Sequence, residues 1–254
     1  MKQPQENYIY GFHSIIETVK AGKPIDKIFL RKGLNNELFT ELFQLIRKTG
    51  VPYQFVPQQK LDRITKKNHQ GAIAFLAPIE FHNIEDVLPT IFEQGKNPFI
   101  LILDRITDVR NFGAIARSAE CAGVHTILIP QKNSASINED AIKTSAGALS
   151  RIPICRTPSL EQTAKYLKNS GIKLIAASEK ASNNHFQIDY TTPTAIIMGA
   201  EDTGISKKIL EVSDKWAKIS LSGNIESLNV SVATGVFLFE VVRQRMSQEV
   251  VSRK

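Results

Sequence analysis

Phe99-Ile100-Leu101-Ile102-Leu103, followed at once by Asp104-Arg105-Ile106-Thr107-Asp108-Val109-Arg110-Asn111-Phe112-Gly113, is the stretch on which the fold turns. Five consecutive apolar residues are too continuous for a strand with one wet face, so 99–103 reads as a strand covered on both sides. The polar turn after it runs into a helical pattern that carries Arg117 and Glu120, and Asn111 is well placed to cap that helix. The same grammar recurs downstream: 126–129, 172–177, 195–198 and 218–221 read as short buried strands with helical patterns between them. Alternating β and α elements of this kind define an α/β fold with a mostly parallel, Rossmann-like sheet. The chain then enters a long helix over 229–245, with Val230, Ala233, Phe237 and Val241 among its apolar positions. Its apolar width calls for burial, a second subunit being one way to supply it.

Upstream, 11–77 alternates apolar runs at 28–30, 53–56 and 72–76 with an amphipathic pattern at Leu38, Leu42, Leu45 and Ile46. Asn35 or Asn36 can cap that helix and Gly50 can end it. Pro78, Pro89, Gly95 and Pro98 then punctuate the chain around one short helix over 84–92. We therefore expect a first domain over 1–77, a linker over 78–96 and a second domain over 97–254.

Composition bounds what such a chain does. Its 254 residues, 42% hydrophobic and 22% charged, suffice for one or two soluble globular domains. Thirty-two Lys plus Arg against 25 Asp plus Glu give a net charge of +7, which favours a polyanionic partner such as nucleic acid. Apolar runs fall far short of the roughly 18 to 20 residues that cross a bilayer, and the polar first ten residues do not resemble a secretory signal, so a cytoplasmic location is expected. Cys121 and Cys155 are the two cysteines, and both are expected to be reduced core thiols.

Ligands of an open parallel sheet bind beyond the carboxyl ends of its strands, so the loops there are where chemistry belongs. Gly199-Ala200-Glu201-Asp202-Thr203-Gly204-Ile205-Ser206 lacks the Lys and Ser or Thr of a phosphate loop, and no G-x-G-x-x-G is present; both facts argue against a kinase, a GTPase or a standard dehydrogenase. Leu221-Ser222-Gly223-Asn224-Ile225-Glu226-Ser227-Leu228-Asn229 opens into the last helix, where Ser227 or Asn229 would cap whatever else it did. The five histidines show no metal-ligand spacing and no G-x-S-x-G elbow appears, so neither a metal site nor a serine hydrolase is expected. Lys60, Arg63, Lys66 and Lys67, relieved only by Asp62, form a basic cluster that serves either as a solvated face or as a track for a phosphate backbone.

Taken together, three loops resemble the SpoU (TrmH-like) ribose 2′-O-methyltransferases of the SPOUT superfamily. Motif one is similar to Asn111-Phe112-Gly113 with Arg117, motif two to Met198-Gly199-Ala200-Glu201 with Gly204, and motif three to Ser227-Leu228-Asn229-Val230-Ser231-Val232-Ala233. Tyr10-Gly11-Phe12-His13-Ser14-Ile15 and Lys27-Ile28-Phe29-Leu30 are similar to the L30e-like RNA-binding domain found in one branch of that family. The resemblance implies a trefoil-knotted C-terminal domain, a feature that periodicity alone does not reach. It implies S-adenosylmethionine as cofactor, held largely by backbone groups at Gly199, Ile219 and Leu228, and a homodimer whose active sites combine both subunits. It also implies methyl transfer to the ribose 2′-hydroxyl of a guanosine in 23S ribosomal RNA. Another RNA target, transfer RNA or a 23S adenosine, and a catalytically silent RNA-binding scaffold are the competing readings.

By the same resemblance Arg117, Asn111, Glu201, Ser227 and Asn229 are the catalytic set. A guanidinium stays protonated in proteins, so Arg117 is expected to position the substrate phosphate and stabilise the attacking oxygen rather than act as a base. Asn111, Glu201, Ser227 and Asn229 are expected to orient Arg117 and the ribose. Arg110 stands where many relatives carry another residue and can add an RNA phosphate contact, while Asp202-Thr203 depart from the Gly-Glu frequent inside motif two.

Overall fold

Two separate units emerge in the computed structural model, which describes residues 7–225 and 227–252, side chains of 249–252 excepted. One unit ends at Glu80 and the other begins at Phe81.

The first unit runs β1 (Tyr8–Tyr10), α1 (Phe12–Lys20), β2 (Ile25–Arg31), α2 (Glu37–Thr49), β3 (Tyr53–Val56), α3 (Gln58–Ile64) and β4 (Ala72–Leu76). Its sheet has the order β1-β4-β2-β3, with β4 antiparallel to both neighbours and β2 parallel to β3. Helix α2 starts where extended Asn36 accepts the Phe39 N–H at 2.7 Å, and it ends where Gly50 turns left-handed at φ +71°. Alternation along β2 builds two cores. Ile28 and Leu30 pack with Phe12, Ile15 and Leu42 under α1 and α2, while Phe29 packs with Val56, Leu61 and Ile73 under α3.

The second unit runs β5 (Phe81–His82), α4 (Ile84–Glu93), β6 (Phe99–Asp104), α5 (Val109–Cys121), β7 (Thr126–Pro130), α6 (Glu139–Thr144), β8 (Ile154–Thr157) and α7 (Leu160–Asn169). It continues with β9 (Lys173–Ala177), β10 (Asn183–Asn184), β11 (Thr194–Gly199), α8 (Lys207–Val212), β12 (Lys215–Lys218) and α9 (Val230–Ser252). All pairings in its sheet, of order β10-β12-β9-β11-β6-β7-β8-β5, are parallel. Every residue of β6 is buried, as its unbroken apolar run requires.

Five details differ from the sequence reading. Little of 78–96 is linker: β5 pairs with β8, and Ile84 and Leu88 of α4 lie in the core of the second unit, so the prolines and glycine there mark turns around a packed helix. The strand expected at 218–221 is β12, three residues earlier, because a strand near the sheet edge buries only Ala217 and leaves Trp216 37% exposed. Strand β8 escapes a search for apolar runs because Arg156 and Thr157 interrupt it. Asp108 rather than Asn111 caps α5, accepting the Asn111 N–H at 2.7 Å. Cys155 is a core thiol, pushed up to about 11 by burial, but Cys121 at the end of α5 is exposed.

Candidate active site

The chain travels from β6 through β7 to β8 on one side of the sheet and returns through β9 and β11 on the other, so β6 and β11 flank the point where strand order reverses. Asp104 and Gly199, their last residues, lie side by side in register. A crevice at such a point is where an open parallel sheet takes its ligand.

The loop after β11 is shaped by what it omits. A Cβ on Gly199 would stand 2.3 Å from both Gly204 C and Ile205 N, so any side chain there would force the loop open. Gly204, left-handed at φ +63°, returns its N–H to the Ala200 carbonyl at 2.8 Å. Buried Asp104 anchors the far side: its carboxylate accepts the Ser206 N–H at 2.6 Å and Arg105 Nε at 3.3 Å. Arg105, left-handed at φ +62°, donates through Nη2 to the Gly204 carbonyl at 3.0 Å. Such a backbone costs a non-glycine residue roughly 1–3 kcal/mol and persists where surrounding bonds over-determine it, as these do.

Three sequence-distant side chains then meet. Glu201 Oε1 accepts from Asn229 Nδ2 at 2.8 Å, Asn111 Nδ2 at 3.2 Å and the Val230 N–H at 3.0 Å. Asn229 Nδ2 also donates to Asn111 Oδ1 at 3.0 Å, and Asn229 Oδ1 accepts the Ser231 N–H at 2.9 Å. A carboxylate thus sits on the free amides at the head of α9, where the helix dipole favours negative charge. The loops after β6 and β11 and the loop before α9 are tied at one point.

Beside this junction opens a cleft. Gly199, Ala200, Ile219, Ser227 and Leu228 line it together with the apolar side chains of Ala177, Met198 and Phe237. The positions singled out in the sequence as Gly199, Ile219 and Leu228 all line it. Ser227 lines it as well, exposed and outside the Glu201 junction.

Arg117 stands apart. It lies six residues beyond Asn111, about 240° around α5, and it is exposed, with no hydrogen bond or ion pair among the described residues. Asn111 therefore does not orient it within one chain. Arg110 is likewise exposed. Lys60, Arg63, Lys66 and Lys67 fall on and just after α3 in the first unit, all exposed. That segment is pinned by His69, whose Nδ1 accepts the Gly71 N–H at 3.0 Å while Nε2 meets Asp62 at 3.0 Å. The hydrogen bond from His69 holds the Asp62 carboxyl below its usual range.

Sequence reasoning missed Asp104, Arg105 and the cleft residues Ser178 and Glu179. Asp104 ends β6, and Ser178 and Glu179 follow the carboxyl end of β9, so the strand-end rule would have reached them once the strands were placed. Among the described residues, no group of three His, Cys, Asp or Glu side chains comes together to hold a metal ion, and no helix is long and apolar enough to cross a membrane.

Fold and site together define a class, and comparison with known proteins agrees with them. Residues 98–239 match the SpoU rRNA methylase family and residues 8–82 match the RNA 2′-O ribose methyltransferase substrate-binding domain. The chain belongs to the SpoU family of RNA methyltransferases. It is 36% identical over 241 residues to the 23S rRNA (guanosine-2′-O-)-methyltransferase RlmB of Photorhabdus laumondii, covering 94% of this chain and 98% of that protein. It is 32% identical to YacO of Bacillus subtilis, a putative TrmH family tRNA/rRNA methyltransferase, over 95% of this chain and 97% of that one. In fold it is similar to the SpoU methyltransferase AviRb from Streptomyces viridochromogenes, solved in complex with the cofactor AdoMet, with a TM-score of 0.60, 23% identity and coverage of 94% and 90% of the two chains.

Proposed function

We propose that this protein methylates the ribose 2′-hydroxyl of a guanosine in 23S ribosomal RNA, using S-adenosylmethionine. The observation that carries the reading is the junction of Asn111, Glu201 and Asn229 beside a cleft lined by Gly199, Ala200 and the apolar residues Ala177, Met198 and Phe237. That cleft fits the cofactor: Gly199 leaves its surface bare of a side chain, and Ala177, Met198 and Phe237 offer a poorly hydrated surface on which a sulfonium reacts faster, since its charge vanishes on transfer. S-adenosylmethionine supplies the electrophilic methyl group; as the new C–O bond forms the C–S bond breaks, and the 2′-hydroxyl proton leaves to a nearby phosphate oxygen or water.

Within this reading Gly199, Ile219 and Leu228 hold the cofactor through their backbones. Asn111, Glu201 and Asn229 fix the three loops so that cofactor and ribose meet, and Ser227, which lines the cleft, helps to orient the ribose. Arg117 grips the substrate phosphate bidentately and stabilises the attacking oxygen while remaining protonated. No group of its own chain holds Arg117 among the described residues, and α5 packs along α9, so we assign it to a site shared by two subunits. Support for that dimer comes from α9. Val232, Phe239 and Met246, seven residues apart, are 54%, 50% and 64% exposed, and a methyl group on Gly235 between them would meet nothing within 4 Å among the described residues. Arg110 and the cluster Lys60, Arg63, Lys66 and Lys67 bind RNA phosphates. A ribosomal RNA substrate makes the cytoplasm the place of action.

The test is transfer of radiolabelled methyl from S-adenosylmethionine to deproteinised ribosomal RNA and, separately, to transfer RNA, followed by nucleoside analysis. Label recovered as 2′-O-methylguanosine from 23S RNA is expected; 2′-O-methyladenosine or transfer-RNA label would change the target and keep the chemistry. Arg117→Ala is expected to abolish transfer, a loss of at least about 100-fold, while leaving cofactor affinity nearly intact by calorimetry. Substantial residual turnover would remove Arg117 from the catalytic set.

A further inference from the structure

The sheet of the first unit is covered unequally. Helices α1 and α2 close one face over Phe12, Ile15, Leu42 and Ile46. The opposite face has only the seven residues of α3, which bury Phe29, Val56 and Ile73 around Leu61 and leave Tyr8, Tyr10 and Phe75 partly exposed.

Strand register sets what this face displays. Tyr8 lies opposite Phe75, and Phe75 opposite Lys27; one row along, Tyr10 lies opposite Ile73, and Ile73 opposite Phe29. Directly opposed residues share a face, so two rows of side chains cross β1, β4 and β2. The rings touch: Phe29 and Phe75 meet edge to face at 5.2 Å, and Tyr8 and Phe75 at 6.2 Å.

Cations lie over the same rings. Lys27 Nζ is 5.6 Å from the centroids of both Phe29 and Phe75, Lys60 Nζ is 4.5 Å from Phe29, and Lys67 Nζ is 5.7 Å from Tyr10. Exposed Arg31 follows Phe29 by two residues on β2, which puts it on this face. Within 58–67, Asp62 is the one carboxylate, and it is engaged by His69. Four cations, Lys60, Arg63, Lys66 and Lys67, thus accompany one acid in that stretch, and Lys27 and Arg31 lie on the same face of β2.

Interleaved rings and ammonium groups are the chemistry that binds single-stranded nucleic acid, with base faces stacking on the rings and phosphates meeting the cations. A duplex hides its base faces, so against paired RNA the rings would add nothing. We propose that this sheet face takes unpaired nucleotides of the RNA substrate, bases on Tyr8, Tyr10 and Phe75, phosphates on Lys27, Lys60 and Lys67. It rests on the RNA methyltransferase reading above and adds to it the form of RNA recognised.

The experiment is titration of the full-length protein with a single-stranded oligoribonucleotide carrying 2-aminopurine, and with the same sequence closed into a hairpin duplex. Stacking quenches 2-aminopurine, so the wild type is expected to quench the single strand and to bind it more tightly than the duplex. Tyr8→Leu and Phe75→Leu keep apolar bulk and remove the π face; each is expected to weaken single-strand binding about 5- to 100-fold and to abolish the quench. Tyr8→Phe restores both. Lys60→Gln is expected to lower the slope of log Kd on log salt by about 0.7 without removing the quench. An unchanged thermal unfolding curve of each variant shows that the first unit is intact, and unchanged cofactor affinity shows the same of the second. Wild-type quench and affinity in both leucine variants, or a wild-type preference for the duplex, overturns the proposal, the lysines then being mere covers for aromatic edges. Either result leaves the methyltransferase reading standing, which falls instead if the wild type transfers methyl to no RNA.

Discussion

At the scale of single residues the site depends on what one position lacks and on what three supply. Gly199 is required for space: a methyl group there would lie 2.3 Å from backbone atoms of Gly204 and Ile205, and no rotation relieves a clash with backbone. Because Gly204 is also the acceptor for Arg105, a displaced loop would lose that bond too. Gly199→Ala is therefore expected to weaken S-adenosylmethionine binding by about tenfold or more, measured by titration calorimetry. Gly223→Ala is the control, since a Cβ there meets nothing within 4 Å, and its affinity is expected to equal the wild type's. Equal affinities for both variants would show that the loop at Gly199 does not form the cofactor site. Asn111, Glu201 and Asn229 act differently, as a junction whose members are each satisfied by the others. Their residue types were legible in the sequence through the resemblance, but their mutual contact was not. They lie 90 and 28 residues apart along the chain, and only the assembled sheet brings them together.

At the scale of elements, the position of β6 is fixed at its amino end by a histidine. Phe99 N–H donates to His125 Nδ1 at 3.0 Å, and the His125 N–H returns to the Phe99 carbonyl at 2.8 Å. Arg245 of α9 completes the anchor, donating to the carbonyls of Asn97, Pro98, Tyr190 and Thr192. Burial, then the charges of Lys96 and Arg245, lower the pKa of His125 below its usual 6.5. The sign follows from proton counts: below pH 6.5 the unfolded chain binds a proton at this histidine before the folded chain does, so stability falls as pH drops through the window beneath 6.5. Carboxylates held low, such as Asp189 and Glu240, titrate beneath that window. The wild-type Tm is expected to fall between about pH 7 and pH 5.5, and His125→Gln, which keeps an acceptor and loses the titration, should show a shallower fall in thermal scans. An unchanged slope would place the pH dependence elsewhere. The same elements explain how much of the fold could be read in advance. β6 and β11 lie at the sheet centre, buried on both sides, and an apolar run announces them. β12 and β8 lie nearer the edges, where Lys215, Trp216, Arg156 and Thr157 are tolerated, and their pattern loses the run on which the reading depended. The pattern of α4 reads as a helix in the sequence, but its surroundings read as a linker, because prolines mark turns equally well inside a unit and between units.

At the scale of the whole molecule, the arrangement of α5 and α9 makes one chain look incomplete. The inner face of α9 is filled by Val230, Phe237, Leu238 and Val241, all buried, so the exposed positions 232, 239 and 246 are a second apolar face rather than the edge of the first. A two-fold seam along them would bury the same stripe on both copies, as an isologous interface must. Were Arg117 to serve its own chain's cleft, such a seam would affect stability alone; if it serves the partner's, the seam is needed for chemistry. Subunit complementation separates these. Phe239→Asp places a charge at the centre of the proposed seam; the variant is expected to sediment as a 28.3 kDa monomer and the wild type as a dimer. Arg117→Ala and Glu201→Ala are each expected to be inactive alone, one lacking the phosphate grip and the other the junction. Mixed in equal amounts and allowed to exchange, half of the dimers pair one variant with the other, and in each of these one of two sites takes intact Glu201 from one chain and intact Arg117 from its partner. Methyl transfer should therefore return to about a quarter of the wild-type rate. If each chain served itself, no mixture would regain activity, because every chain carries one defect. Introducing Phe239→Asp into both variants should abolish the recovery, and recovery that survived it would show that α9 is not the seam.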